Sequence, residues 1–206
     1  MKAYPSIETK IDYTRTYHIF DKLDGSNIRA EWSKKSGFYK FGSRTQLLNE
    51  DQKTLWPSRD AIMEQFSETL SSRFSKLKAE SAIAFFEWVG PESFAGNHGA
   101  DISQNRPVLI DIAIYKKGML PPDKFLEVAE GLVTPKLLQK GRIDLELFHS
   151  VRNRTLEGMT FEGVVGKGEF SQSLGHSTMF KIKSNDWLNK LKTICNGDEA
   201  LYNRLK

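Results

Sequence analysis

Apolar and polar positions alternate with a period of two in the first part of this chain, the pattern of strands half-buried in a sheet. Tyr17 to Phe20, Ile28 to Ser33 and Gly37 to Phe41 are predicted as three strands, with SKKSG as the turn between the second and third. From Ser58 the period becomes helical. Ala61, Ile62, Phe66, Leu70 and Phe74 fall on one face, and Ser58 is the predicted N-cap after Pro57. SAIAFFEWV and PVLIDIAIY are dense in β-branched and aromatic residues and read as buried strands. KKGMLPP reads as a turn, and DKFLEVAEGL as a short helix capped by Asp123 and closed by Gly131. A second helix is predicted over Asp144 to Arg152. Strands over Phe161 to Lys167 and Thr178 to Lys183 then precede a helical tail from Asn185. Helices do not follow every strand, so the pattern predicts an α+β fold with largely antiparallel sheets, not a doubly wound parallel one.

Polar residues interrupt this pattern in places that a simple sheet does not require. DGSN, between the first two strands, has the composition of a hairpin turn. On that reading Lys22, at the end of the preceding strand, is decoration. Yet charged groups recur at or near strand ends: Lys22, Glu87, Asp111, Glu162, Lys181 and Lys183. Lys181 and Lys183 lie two apart in FKIKS and so share a face. They form either a phosphate clamp or a solvated strand face. Glu87, among apolar neighbours in FFEWVG, is costly unless it is bonded. It is either a structural carboxylate or an acceptor for sugar hydroxyls. Glu162 in FEGVVGK either holds a hard cation such as magnesium or pairs with Lys167 or Lys181. A cationic clamp, two isolated carboxylates and a lysine beside a flexible turn would all be satisfied by a nucleoside triphosphate with magnesium.

Composition narrows the partners. The 206 residues suit one domain, and 39% apolar with 11% aromatic residues is globular. The formal charge of +4 is compatible with a polyanion. No stretch approaches the roughly 18 apolar residues of a membrane span, and MKAYPSIETK lacks the apolar run of a signal peptide. The single cysteine, Cys195, cannot form an internal disulfide, which fits a reducing cytoplasm. The four histidines have no zinc-type spacing with it.

Six stretches in order carry a family resemblance. KLDGSN (22–27) resembles the nucleotidyltransferase signature Lys-x-Asp-Gly-x-Asn, and SRT (43–45) the short arginine motif that follows. FFEWVG resembles the motif around a ribose-binding glutamate, and LIDIAIY a strand ending in Phe-Asp. EGVVGK is similar to Glu-Gly-Val-Val-x-Lys, and FKIKS to Lys-x-Lys. The chain thus resembles the covalent nucleotidyltransferases, which comprise DNA ligases, RNA ligases and capping enzymes. Asn27, where DNA ligases and capping enzymes carry arginine, points to the editing-type RNA ligases.

The resemblance implies the α+β nucleotidyltransferase fold over one adenylylation domain, 1–206, without a C-terminal oligonucleotide-binding domain. It implies an ATP-dependent ligase that joins 5′-phosphate and 3′-hydroxyl ends of RNA, or of an RNA-containing nick, with Mg2+ or Mn2+. Lys22 would attack the α-phosphate to form lysyl-AMP, the AMP would pass to the 5′-phosphate, and the 3′-hydroxyl would displace it. Glu87 would accept from the ribose, Glu162 would help hold the metal, and Arg44 and Asn27 would contact phosphate or the 5′ end. The backbone at Phe20 and Asp21 would contact adenine. Ile110 stands where the family often stacks an aromatic on the base. Lys181 and Lys183 would provide a cationic field. At the reference lysine pKa only about one in a thousand amines is neutral near pH 7.5, which forfeits roughly 4 kcal/mol of reactivity if uncorrected. The short tail after Lys183 leaves a separate domain or protein as a candidate partner. The alternatives are a small DNA nick ligase and a catalytically silent nucleic-acid-binding module.

Overall fold

The first two predicted strands form, but they do not pair with each other. The computed structural model describes residues 3–206 and contains, in chain order, β1 (Thr16–Lys22), β2 (Ser26–Ser33), β3 (Gly37–Ser43), α1 (Pro57–Lys76), β4 (Ser81–Val89), β5 (Arg106–Ile114) and β6 (Gly118–Met119). There follow α2 (Pro122–Val128), β7 (Leu137–Arg142), α3 (Leu145–Arg152), β8 (Gly163–Ser171), β9 (His176–Lys183), α4 (Asn185–Cys195) and α5 (Glu199–Leu205). The strands make a five-stranded sheet, β3-β2-β4-β5-β6, and a four-stranded sheet, β7-β1-β8-β9. β1 pairs with β7 and β8, β2 with β3 and β4, all antiparallel. DGSN therefore links two sheets and is not a hairpin turn. The α+β, antiparallel expectation holds.

The chain divides into two compact units. The first comprises 3–6, 25–134 and 170–177, and the second 7–24, 135–169 and 178–206. In the first, α1 covers one face of the five-stranded sheet. Its helical stripe Ile62, Phe66, Leu70 and Phe74 is at most 1% exposed and joins Ile28, Ala30, Trp32, Ala84, Phe86 and Trp88 in one core. Phe66 meets Phe86 edge-on at 5.0 Å, and Trp32 meets Phe74 at 5.3 Å. Burying each such side chain contributes about 1.5–3 kcal/mol. In the second unit Tyr17, Ile19, Val164, Phe180 and Ile182 pack with Leu147 and Val151 of α3.

Several local details differ from expectation. β6 forms at Gly118–Met119, inside the KKGMLPP stretch read as a turn, by pairing with Ala113 and Ile114 of β5. Ser58 is not the N-cap of α1. Trp56 flanks the helix, Pro57 takes the first position, where a missing N–H costs nothing, and the buried Ser58 hydroxyl donates to Leu55 O at 2.6 Å. Asp123 likewise lies inside the first turn of α2, after Pro122, where its charge suits the helix dipole. That helix ends at Val128, before Gly131. β7 was not anticipated, because LLQKGR is an edge strand with no buried position and hence no alternation to read. The helix predicted from Asp144 forms as α3, with Asp144 just before it as its N-cap, accepting from Leu147 N at 2.7 Å. Among the described residues no helix is long and apolar enough to cross a membrane.

Phe66→Ala should cost about 3–5 kcal/mol in denaturant unfolding. A loss below 1 kcal/mol would mean that the α1 stripe does not organise this core.

Candidate active site

β1 ends at Lys22, β8 begins just after Glu162, and β9 ends at Lys183. Antiparallel pairing sets Lys22 opposite Gly163, and β9 lies on the other side of β8. The two lysines thereby flank one carboxylate. Glu162, 3% exposed, accepts Lys22 Nζ on Oε2 at 2.8 Å and Lys183 Nζ on Oε1 at 2.9 Å. Gly163 makes this closeness possible. Its φ is +144°, and a Cβ there would lie 2.0 Å from Ile182 O and 2.8 Å from Lys183 Cα. Backbone cannot yield as a flexible side chain could.

The junction of β9 and α4 fixes the carboxylate from the other side. Ser184 N donates to Glu162 O at 2.8 Å, its hydroxyl donates to Phe161 O at 2.7 Å, and the same oxygen caps α4 by accepting from Trp187 N. Trp187 is fully buried, donates from Nε1 to Asp24 Oδ2 at 2.6 Å, and places its ring 3.3 Å from Lys183 Nζ. Nothing in the sequence pattern marked Trp187; the only cue is its position three residues after the capping serine.

Burial pushes Lys183 down to about 8, with Lys22 and Lys181 acting in the same direction and Glu162 against them. Lys181 Nζ donates to Lys206 O at 2.9 Å, and Lys183 Nζ lies 3.4 Å from Leu205 O. Both lysines of the Lys-x-Lys pair thus reach the same stretch of backbone. Asp21 turns its carboxylate to Thr160, accepting from N at 2.8 Å and Oγ1 at 3.1 Å, and burial raises its pKa. Its own amide donates to Lys136 O. Phe20 is buried, with Lys167 Nζ 5.1 Å from its ring centre.

The other residues singled out belong to the first unit. Asn27 and Glu87 are cross-strand neighbours on β2 and β4. Asn27 Nδ2 lies 3.4 Å from Phe86 O, and its Oδ1 is buried without a hydrogen-bond partner. Gly25 admits no side chain, since a Cβ would fall 2.2 Å from Trp88 O. Arg44 is exposed beyond β3 and lies 3.4 Å from Ser6 Oγ. Ile110 is the extra residue of a bulge: Phe85 faces Asp111 while Phe86 faces Leu109. Asp111 accepts from the Tyr4 hydroxyl at 2.9 Å, a structural bond.

No protein-family model matches the sequence, and no curated protein matches it. Solved structures do. An archaeal ATP-dependent RNA ligase superposes with a TM-score of 0.67 at 14% identity, over 95% of this chain and 52% of that one. Naegleria gruberi RNA ligase with pyrophosphate gives 0.61 at 18% identity, over 87% of this chain and 52% of that one. The chain shares its fold with RNA ligases. An apo form of a Naegleria RNA ligase mutant gives 0.63 at 16% identity, over 92% of this chain and 59% of that one. The RNA-ligase fold here thus spans between half and three fifths of the length of these relatives.

Among the described residues no three His, Cys, Asp or Glu side chains converge on a metal position. Glu162 offers a single hard oxygen donor. That suits a divalent cation that brings its own phosphate and water ligands, not one caged by protein.

Two outcomes test the geometry. Folded Lys183 loses its proton near 8 against an ordinary 10.5, so between these values the unfolded chain binds more protons and stability rises with pH. Lys183→Met should flatten that rise in pH-dependent unfolding; an unchanged slope would refute the assignment. Gly163→Ala should lower Tm by several degrees, and an unaltered Tm would show that β8 and β9 can separate freely.

Proposed function

We propose that the chain is an ATP-dependent RNA ligase that joins 5′-phosphate and 3′-hydroxyl ends through lysyl-AMP and an adenylylated 5′ end, its 206 residues serving as one adenylylation domain. The observation that carries this reading is the Lys22–Glu162–Lys183 cluster at the end of β1, with Glu162 and Lys183 buried and Lys22 half-buried. An RNA-ligase fold supports it, and Naegleria gruberi RNA ligase mutants have been solved with ATP and Mn and with AMP and Mn.

Lys22 is the nucleophile. Its nitrogen forms a bond to the α-phosphorus of ATP as the bond to pyrophosphate breaks. To react it leaves its ion pair with Glu162 and gives up a proton, since only the neutral amine carries a lone pair. Lys183 stays beside the reacting phosphate as a fixed cation, desolvated and backed by the Trp187 ring, where it opposes developing negative charge. Lys181 adds a second cation on the same strand edge. Glu162 would hold a divalent cation, Mg2+ or Mn2+, which would supply further charge neutralisation on the phosphates. Phe20 and Asp21 border the base through their backbone, Ile110 gives it an apolar contact, Glu87 accepts from the ribose hydroxyls, and Asn27 and Arg44 take phosphate. The nucleic-acid substrate is RNA or an RNA-containing nick, read through the 2′-hydroxyl.

Intact mass after incubation with ATP and Mg2+ should show an AMP adduct that GTP and NAD do not give and that Lys22→Ala abolishes. An adduct surviving in Lys22→Ala would exclude Lys22. No adduct from pyrophosphate-stripped protein would favour a binding module.

A further inference from the structure

Arg29 sits in β2, on the face of the five-stranded sheet opposite α1. Asn27 and Glu31 flank it along the strand, Gly42 faces it on β3 and Phe85 on β4. It is only 6% exposed. Yet among the described residues its guanidinium makes no hydrogen bond and no ion pair, and its Nε is buried without a partner. Other arginines of the chain are held differently. Arg73 bonds the main-chain oxygens of Val128 and Glu130, and Arg152 donates to Lys183 O at 3.1 Å. Glu31 is the carboxylate that favours the charge of Arg29, but its Oε2 accepts the Tyr39 hydroxyl at 3.0 Å.

A guanidinium does not escape this cost by shedding its proton, because its pKa is too high. A guanidinium this buried is expensive without hydrogen bonds, and here the chain offers it only the Coulombic attraction of Glu31. The missing partner is therefore an acceptor from outside the chain. The planar fork of donors matches an oxyanion best. On the same face Asn27 Oδ1 is also buried and unpartnered, but as an acceptor it calls for a donor and not for an oxyanion. Gly42, across from Arg29, has no side chain to cover the guanidinium. Arg44 follows just beyond the end of the same strand, β3.

We propose that Arg29 is a phosphate-binding residue, its guanidinium taking the oxyanion of a phosphoryl group presented to this face of the sheet. The phosphate belongs either to the nucleoside triphosphate or to the 5′ end of a strand. That choice of ligand rests on the ligase reading above; the need for an oxyanion rests on Arg29 alone.

The experiment compares the full chain with Arg29→Met and Arg29→Lys. Calorimetry measures binding of inorganic pyrophosphate, fluorescence anisotropy compares a 5′-phosphorylated with a 5′-hydroxyl oligoribonucleotide, and melting reports Tm. Arg29→Met should melt at or above the parent temperature, because a buried charge that makes no hydrogen bond has been removed. It should also weaken one of the two phosphate ligands by about tenfold or more. Arg29→Lys, which keeps the charge and loses the fork, should recover only part. Loss for pyrophosphate assigns the triphosphate; loss of preference for the phosphorylated strand assigns the 5′ end. Unchanged binding in Arg29→Met overturns the proposal, and so does a parent protein that binds neither ligand. Should Arg29→Met fail to fold, unchanged binding in Arg29→Lys overturns it. None of these readouts needs a lysyl-AMP adduct, so failure of the ligase reading is scored separately.

Discussion

A carboxylate held between two ammonium groups is the constraint on which the second unit's chemistry depends. Glu162 is 3% exposed and meets Lys22 and Lys183 at 2.8 and 2.9 Å. Desolvating three charges is costly, and mutual attraction repays it only when geometry is tight. The surrounding features all serve that geometry: Gly163 lets β8 and β9 approach, Ser184 bonds the main chain of Phe161 and Glu162, and Trp187 lies under the Lys183 ammonium. Removing either lysine would leave Glu162 with a single partner, and removing Glu162 would leave two ammonium groups to repel each other. Under the proposed function an incoming triphosphate would replace the carboxylate as partner to both lysines.

The first unit solves a different problem. One face of its sheet is closed by the aromatic stripe of α1, and strand alternation sends Asn27, Arg29, Glu31, Phe85 and Glu87 to the other. The apolar face accounts for stability. The polar face does not, since it keeps a guanidinium nitrogen and an amide oxygen buried and unpaired. Under the Arg29 proposal a phosphoryl oxyanion, not the chain, completes the bonding of the guanidinium.

Much of the secondary structure was legible because its signals are local. The period of two at β2, the β-branched and aromatic density of β4 and the stripe of α1 each depend on neighbours within a few residues. β7 was illegible because an exposed edge strand carries no alternation. Ser58 misled because a serine after proline resembles a cap, while Pro57 already occupied the first helical position. DGSN had the composition of a turn, and composition alone cannot say whether the strands on either side pair.

By itself the sequence determined an α+β chain with charged residues at strand ends, because side-chain periodicity and the cost of isolated charges follow from covalent order. It also placed Lys181 and Lys183 on one face, two residues apart. Only the tertiary structure decided which charges meet. Lys22 and Glu162 are separated by 140 positions and touch because β1 and β8 pair in one register. Strand period says which face a residue takes, not which strand lies beside it. For that reason the partners of Glu162, the role of Trp187 and the isolation of Arg29 became visible only with the sheets assembled.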